Sequence, residues 1–128
     1  MSSPQDLARY VRQVRYAPLG REGQEQLCAA TALVCGCGAL GSMAASWLVR
    51  AGVGTVRIVD RDFVETTNLQ RQVLFDEDDV AQQLPKAVAA ARKLQQVNRQ
   101  VRVEPVVADV GPGNLASLCE GVGAIVDG

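Results

Sequence analysis

The sequence predicts an α/β fold: a Rossmann-like, doubly wound, mainly parallel sheet of four core strands in the order 3-2-1-4, with an N-terminal helical arm. Three observations predict it. Short apolar runs alternate with helical patterns in the order β-α-β-α-β-α-β, with connections long enough for parallel crossovers. The first strand-to-helix junction carries Gly36-Cys37-Gly38-Ala39-Leu40-Gly41, a G-x-G-x-x-G pattern. The second strand ends on an acidic residue, Asp60, roughly twenty residues further on.

Each element has its own signal. Residues 5–14 read as a short amphipathic helix carrying Arg9 and Arg12, and Pro18 with Gly20 interrupts it. Residues 21–29 form a second helix, with Leu27 as an anchor on the body of the domain. Residues 31–35 are a compact apolar run bounded by glycine, the pattern of a buried strand. Residues 39–51 are rich in alanine and small side chains and stop at Gly52, as a helix does. Residues 56–59 are the next strand, and residues 61–80 have no clean period. Pro85 opens an alanine-rich helix over 85–97. Residues 101–107 alternate as a strand, 111–113 turn, 114–119 make a short helix, and 124–126 are a last strand. The expected units are an arm over 1–30 and a nucleotide-binding half-domain over 31–128, cut short at its C-terminal end where a further strand or partner belongs.

At 128 residues, with 48% apolar and 21% charged side chains, the chain suits one soluble globular domain. A net charge of −1 supplies no global field to recruit nucleic acid. No apolar run approaches the ~18 residues that span a bilayer, and no secretory signal is visible, so the expected location is the cytoplasm. Cys28, Cys35, Cys37 and Cys119 are scattered, which suits reduced structural thiols. With no Cys-x-x-Cys pair and no histidine, a metal site is not expected. The lack of histidine also removes Ser–His and Cys–His catalysis; chemistry here must use lysine, arginine, carboxylates, backbone amides or a metal.

The glycine motif carries the first functional signal. Gly36 permits the tight turn, Gly38 lets a phosphate approach the backbone, and Gly41 lets helix pack on strand. The amides of Ala39 and Leu40 open the helix and face the anion. Asp60 can accept hydrogen bonds from ribose hydroxyls. None of this separates a dinucleotide from ATP. The loop beyond it collects Asp62, Asn68, Arg71 and Gln72, and Lys86 opens the next helix. Two cations converging on a triphosphate would each contribute about 4 kcal/mol at ~4 Å and an effective dielectric near 20, before desolvation. The plainer reading is a solvated loop, with Asn68 capping a helix and Arg71 pairing with the acidic run Asp76, Glu77, Asp78 and Asp79. Spacing alone leaves both open.

The combined pattern resembles the adenylating domain of the ThiF/MoeB/E1 family, which activates the C-terminus of ubiquitin-like proteins and sulfur carriers. The matching residues are Arg9-Tyr10-Val11-Arg12-Gln13, Gly23-Gln24, the glycine motif, Ala51-Gly52-Val53-Gly54, Asp60-Arg61-Asp62, Asn68-Leu69-Gln70-Arg71-Gln72, Lys86-Ala87 and Ile125-Val126-Asp127. The resemblance implies ATP-dependent adenylation, in which a carboxylate attacks the α-phosphate and pyrophosphate leaves. A C-terminal carboxylate, with a pKa of roughly 3.3–3.7, is already ionised at pH 7 and needs no general base. It also implies that Asp60 holds the ribose, that Asn68, Arg71 and Lys86 meet the phosphates or the leaving group, and that Arg12 reaches the nucleotide of a neighbouring subunit in a homodimer.

Two departures from the family pattern stand out. Ala39 replaces the usual glycine, a change a helix start accepts. The aspartate that supports Mg2+ and ATP in the family, expected just beyond Asp127, is not in this chain, nor are the downstream cysteine and the half that cradles the protein substrate. Whether the chain turns over by itself is therefore left open. The alternatives are an NAD(P)-binding oxidoreductase module and a catalytically incomplete nucleotide-binding or dimerisation module.

Overall fold

The computed structural model describes residues 7–128. A 3-10 turn, Ala8–Tyr10, runs into α1 (Val11–Val14), and α2 (Gly20–Ala29) follows. The expected start of the first helix, at residues 5 and 6, lies outside the described residues. The body comprises β1 (Thr31–Cys35), α3 (Ala39–Ala51), β2 (Thr55–Val59), a 3-10 turn (Thr66–Asn68), α4 (Glu77–Ala81), α5 (Lys86–Val97), β3 (Arg102–Val106), α6 (Leu115–Leu118) and β4 (Ala124–Asp127). All three strand pairings are parallel and the order is β3-β2-β1-β4, as the sequence predicts.

The alternation along the strands sorts side chains onto two unlike faces. Ala32, Val34, Val56, Ile58 and Val103 point into the main core, against Ala45 and Val49 of α3 and Ala87, Ala90 and Leu94 of α5. Alanines at the contact let both helices lie close on the sheet. The opposite face is thinner: Leu33 and Val59 are covered by Leu118 of the four-residue α6 and a few partly buried neighbours. Arg57 belongs to this face. Its Nε pairs with Glu104 at 2.8 Å and its Nη1 donates to the Leu118 carbonyl at 2.5 Å, so one guanidinium ties β2, β3 and α6 together.

One element escapes the sequence reading. The stretch expected to be irregular over 61–80 contains α4, opened by Asp76. The Asp79 amide donates to Asp76 Oδ1 at 3.0 Å and the Asp76 amide to Asp79 Oδ2 at 2.9 Å. Five residues are too few to show a helical period, and the cap is made by a second aspartate where Glu or Gln is usual.

The arm is clamped to the C-terminal end of α3. Tyr10 is 2% exposed and packs on Gly52, whose φ of +89° no side chain adopts readily. A Cβ on Gly52 would sit 2.5 Å from the Tyr10 ring. Asn98, just past α5, donates to the Tyr10 hydroxyl at 2.8 Å and to the Val49 carbonyl at 2.9 Å, and accepts from Arg9. Gln13 and Gln24 both donate to the Ala51 carbonyl, at 3.0 and 2.9 Å. The Arg9-Tyr10 and Gln13 positions of the N-terminal motif are thus fasteners.

Candidate nucleotide site

The site forms where β1 hands over to α3. Gly36 turns the chain at φ +93°, and its amide donates to the Val59 carbonyl at 2.8 Å, which holds the turn over the end of β2. Gly41 comes so close that a Cβ there would lie 1.9 Å from the Gly36 carbonyl oxygen. This contact is why the sixth position of the motif carries no side chain. Among the described residues, the amides of Gly38, Ala39, Leu40 and Gly41 make no hydrogen bond. Four open N–H groups at the start of a 13-residue helix are an anion seat.

Asp60 has a task that spacing does not reveal. Its Oδ2 accepts the Cys37 amide at 2.7 Å and its Oδ1 the Asp62 amide at 2.6 Å. Asp62 in turn accepts the Lys86 amide on its carbonyl at 2.8 Å. A single carboxylate therefore clasps the glycine loop to the loop after β2, which is fastened to the first residue of α5. A carboxylate has about four lone-pair sites, so two remain for ribose hydroxyls. Beneath the clasp, Cys37 is fully buried, and burial first, then the Asp60 charge, pushes its thiol up to about 12, against the opposing pull of Lys86.

Next to this clasp lies a cavity of about 490 Å3 lined by Arg61, Asp62, Phe63, Glu65, Asn68 and Lys86. Lys86 is 7% exposed, and its ammonium has no hydrogen-bond or ion-pair partner among the described residues. Its stem is buried and its ammonium lines the cavity, so an incoming anion can pair with it without displacing a protein partner. Asn68 is nearly buried; its Oδ1 accepts the Glu65 amide at 2.9 Å, and its Nδ2 makes no bond among the described residues. Gln72, 3% exposed, reaches Gly38: Nε2 is 3.8 Å from where a Gly38 Cβ would be.

The ThiF family model matches residues 10–128. The chain belongs to the ThiF family. Its relatives include the sulfur carrier protein ThiS adenylyltransferase of Bacillus subtilis, 50% identical over 119 residues, covering 93% of this chain and 35% of that protein. The sulfur carrier protein adenylyltransferase of Thermus thermophilus is 41% identical over 123 residues, covering 96% of this chain and 45% of that protein. Among solved structures, an E. coli tRNA N6-threonylcarbamoyladenosine dehydratase in complex with AMP superposes with a TM-score of 0.89 at 31% identity, over 99% of this chain and 50% of that one. The same enzyme in complex with ATP gives the same TM-score. The chain thus spans between about a third and a half of the length of these relatives.

Within this ThiF-family fold, the residues singled out from sequence fall into three groups. Gly36, Gly38, Ala39, Leu40, Gly41, Asp60 and Gln72 meet at the glycine loop, and Asp62, Asn68 and Lys86 line the adjoining cavity. Arg71 stands apart. Its guanidinium is exposed and Nη1 donates back to the Thr67 carbonyl at 3.1 Å, so it does not join Lys86 in this cavity. Arg12 is exposed on α1 and makes no ion pair or hydrogen bond among the described residues. The plainer reading of the loop holds in part: Asn68 does cap the turn Thr66–Asn68 by accepting the Glu65 amide, but the acidic run pairs elsewhere. Lys93 of α5, not Arg71, bonds Asp76 at 2.8 Å, Asp79 and the Leu74 carbonyl. Sequence reasoning missed Lys93 and Asn98, and gave the motif residue Gln24 no role; the partners of all three lie on other elements. Among the described residues, no three His, Cys, Asp or Glu side chains converge as a metal site, and no helix is long and apolar enough to cross a membrane.

Proposed function

We propose that this chain is the ATP-binding portion of an enzyme that adenylates the C-terminal carboxylate of a ubiquitin-like sulfur-carrier protein. The observation that carries the reading is Lys86, whose ammonium lines the cavity with no protein partner among the described residues, together with four open amides at the start of α3. A triphosphate supplies what both lack. Relatives named as sulfur-carrier adenylyltransferases and solved structures with ATP and AMP support the choice of nucleotide over NAD(P).

In this reading the residues divide the work. The amides of residues 38–41 seat phosphate, and Lys86 neutralises charge on it. Asp60 keeps the loop closed and offers its remaining lone pairs to the ribose. Asn68 Nδ2 donates into the cavity, and Arg71 reaches the triphosphate only by leaving Thr67. The carrier's carboxylate attacks the α-phosphorus, the bond to the bridging oxygen breaks, and pyrophosphate leaves with the electron pair. No side chain need take a proton, in keeping with a chain without histidine. Magnesium would enter with the triphosphate, whose own oxygens bind it. Arg12, exposed on the clamped arm and unpartnered among the described residues, would serve a second copy in a homodimer. Four free cysteines suit the cytoplasm.

Calorimetric titration of the chain with Mg·ATP and with NAD tests the reading. ATP is expected to bind and NAD not; tight NAD binding with no ATP response refutes it. A Lys86→Met variant should bind ATP roughly 30-fold more weakly, about 2 kcal/mol left from the pair energy after desolvation. Its Tm should stay close to that of the unaltered chain, because the ammonium has no protein partner among the described residues to lose. Pyrophosphate exchange with a candidate carrier protein separates an adenylating chain from one that only binds nucleotide.

A further inference from the structure

Gln72 holds the one buried side-chain polar atom without a hydrogen-bond partner among the described residues, Oε1. The residue is 3% exposed and its backbone is fixed, with its amide donating to the Asn68 carbonyl at 2.8 Å and its carbonyl accepting from Phe75 at 3.2 Å. The carboxamide faces Gly38, the position where the loop leaves room for a phosphate. A buried acceptor left without a donor is destabilising, and native proteins keep few of them. Nothing in the fold requires a polar group here, since an apolar side chain of the same length would fill the space.

From this we infer that Gln72 is a nucleotide-positioning residue with both ends in use: Nε2 donates to the phosphate over Gly38, and Oε1 accepts an O–H that arrives with the nucleotide. This rests on the ATP-binding reading above and deepens it. Triphosphate oxygens are acceptors at neutral pH, so they satisfy Nε2 but never Oε1. The O–H donor comes from a ribose hydroxyl or from a water carried with the phosphates. The orphaned oxygen thus costs stability in the empty chain and returns it only when the site fills.

Gln72→Leu and Gln72→Met keep the volume and remove both polar ends. Each variant should melt at or above the temperature of the unaltered chain and bind Mg·ATP roughly tenfold more weakly, the value of one to two lost hydrogen bonds. A merely structural glutamine would give the opposite pattern, a lower Tm with unchanged affinity. Gln72→Glu should weaken ATP further, by repelling phosphate. Repeating the titrations with 2′-deoxy- and 3′-deoxy-ATP identifies the donor. If the Gln72→Leu loss shrinks with one analogue, that hydroxyl is the source; if it persists with both, the water is. Wild-type ATP affinity in both Gln72→Leu and Gln72→Met overturns the role of Gln72 while leaving the ATP reading intact. Failure of the unaltered chain to bind ATP overturns both.

Discussion

Replacing Asp60 by asparagine isolates the clasp from any role in ribose binding. In the native chain each carboxylate oxygen accepts one amide, from Cys37 at 2.7 Å and from Asp62 at 2.6 Å. Asparagine keeps the shape but turns one acceptor into an NH2 group facing an N–H, so one charge-assisted bond is lost and the other loses its charge. At about 1.5–3 kcal/mol for the first and about 0.5–1 for the second, the expected loss is about 2–4 kcal/mol. With about 2.1 cal/mol/K per residue over 128 residues, the unfolding entropy is near 0.27 kcal/mol/K, so Tm should fall by about 7–15 °C without nucleotide. Circular dichroism gives the Tm, and hydrogen exchange should show faster exchange at the Cys37 and Asp62 amides with little change in β2. The reasoning fails if Asp60→Asn melts with the native chain and the Cys37 amide keeps its protection. Asp60 would then be a ligand group only.

Two further outcomes follow from the same physics. Lys93→Met should cost about 2 kcal/mol near neutral pH, because it leaves the buried Asp79 carboxylate without its cation; the exposure of Lys93 and Asp76 keeps the figure below that of a fully buried pair. The Lys93 hydrogen bond, then the Asp79 amide, holds the Asp76 carboxyl below its usual range, so this stabilisation is present above about pH 3.9 and lost as pH falls through the depressed value. Burial pulls the Lys93 ammonium down, but its bonds to Asp76 and Asp79 outweigh that and raise it; its share is full below about pH 10.4 and lost as pH rises through the raised value. Tm of native chain and variant measured against pH should converge at both extremes, and a constant gap would refute the assignment. Alkylation with iodoacetamide at pH 8, followed by mass spectrometry, should modify Cys37 last and only on global unfolding, since burial and Asp60 keep the thiol protonated. Labelling of Cys37 in the folded chain at the rate of a free thiol would contradict the buried clasp.

What could be read in advance divides along the range of the interactions. β1 and α3 match their predicted bounds because their signals are local: an apolar run ended by glycine, and a helix stopped by Gly52 in the left-handed conformation. Strand order followed from the alternation of elements and the parallel crossovers. The glycine loop and Asp60 could be picked out together because the motif fixes their spacing, whereas Lys86 was picked out only as the residue that opens the next helix. The direction a side chain takes from a loop was not. Arg71 and Gln72 are adjacent, yet one turns outward to Thr67 and the other goes under Gly38. Nothing in their order says which. The Tyr10–Asn98 bond joins residues 88 positions apart, and the Lys93 cluster needs α4, which is too short to announce itself.

The two margins of the sheet are unequal. Along β3 the outer margin carries exposed Pro105, which has no N–H to offer, and charges at Arg102 and Glu104, so lateral growth there is blocked. Along β4 the outer margin presents Ala124 and Ile125, the latter 55% exposed, with no proline and a single terminal carboxylate at Asp127. The β4 margin therefore keeps its backbone groups open to pairing with a further strand, which the β3 margin resists.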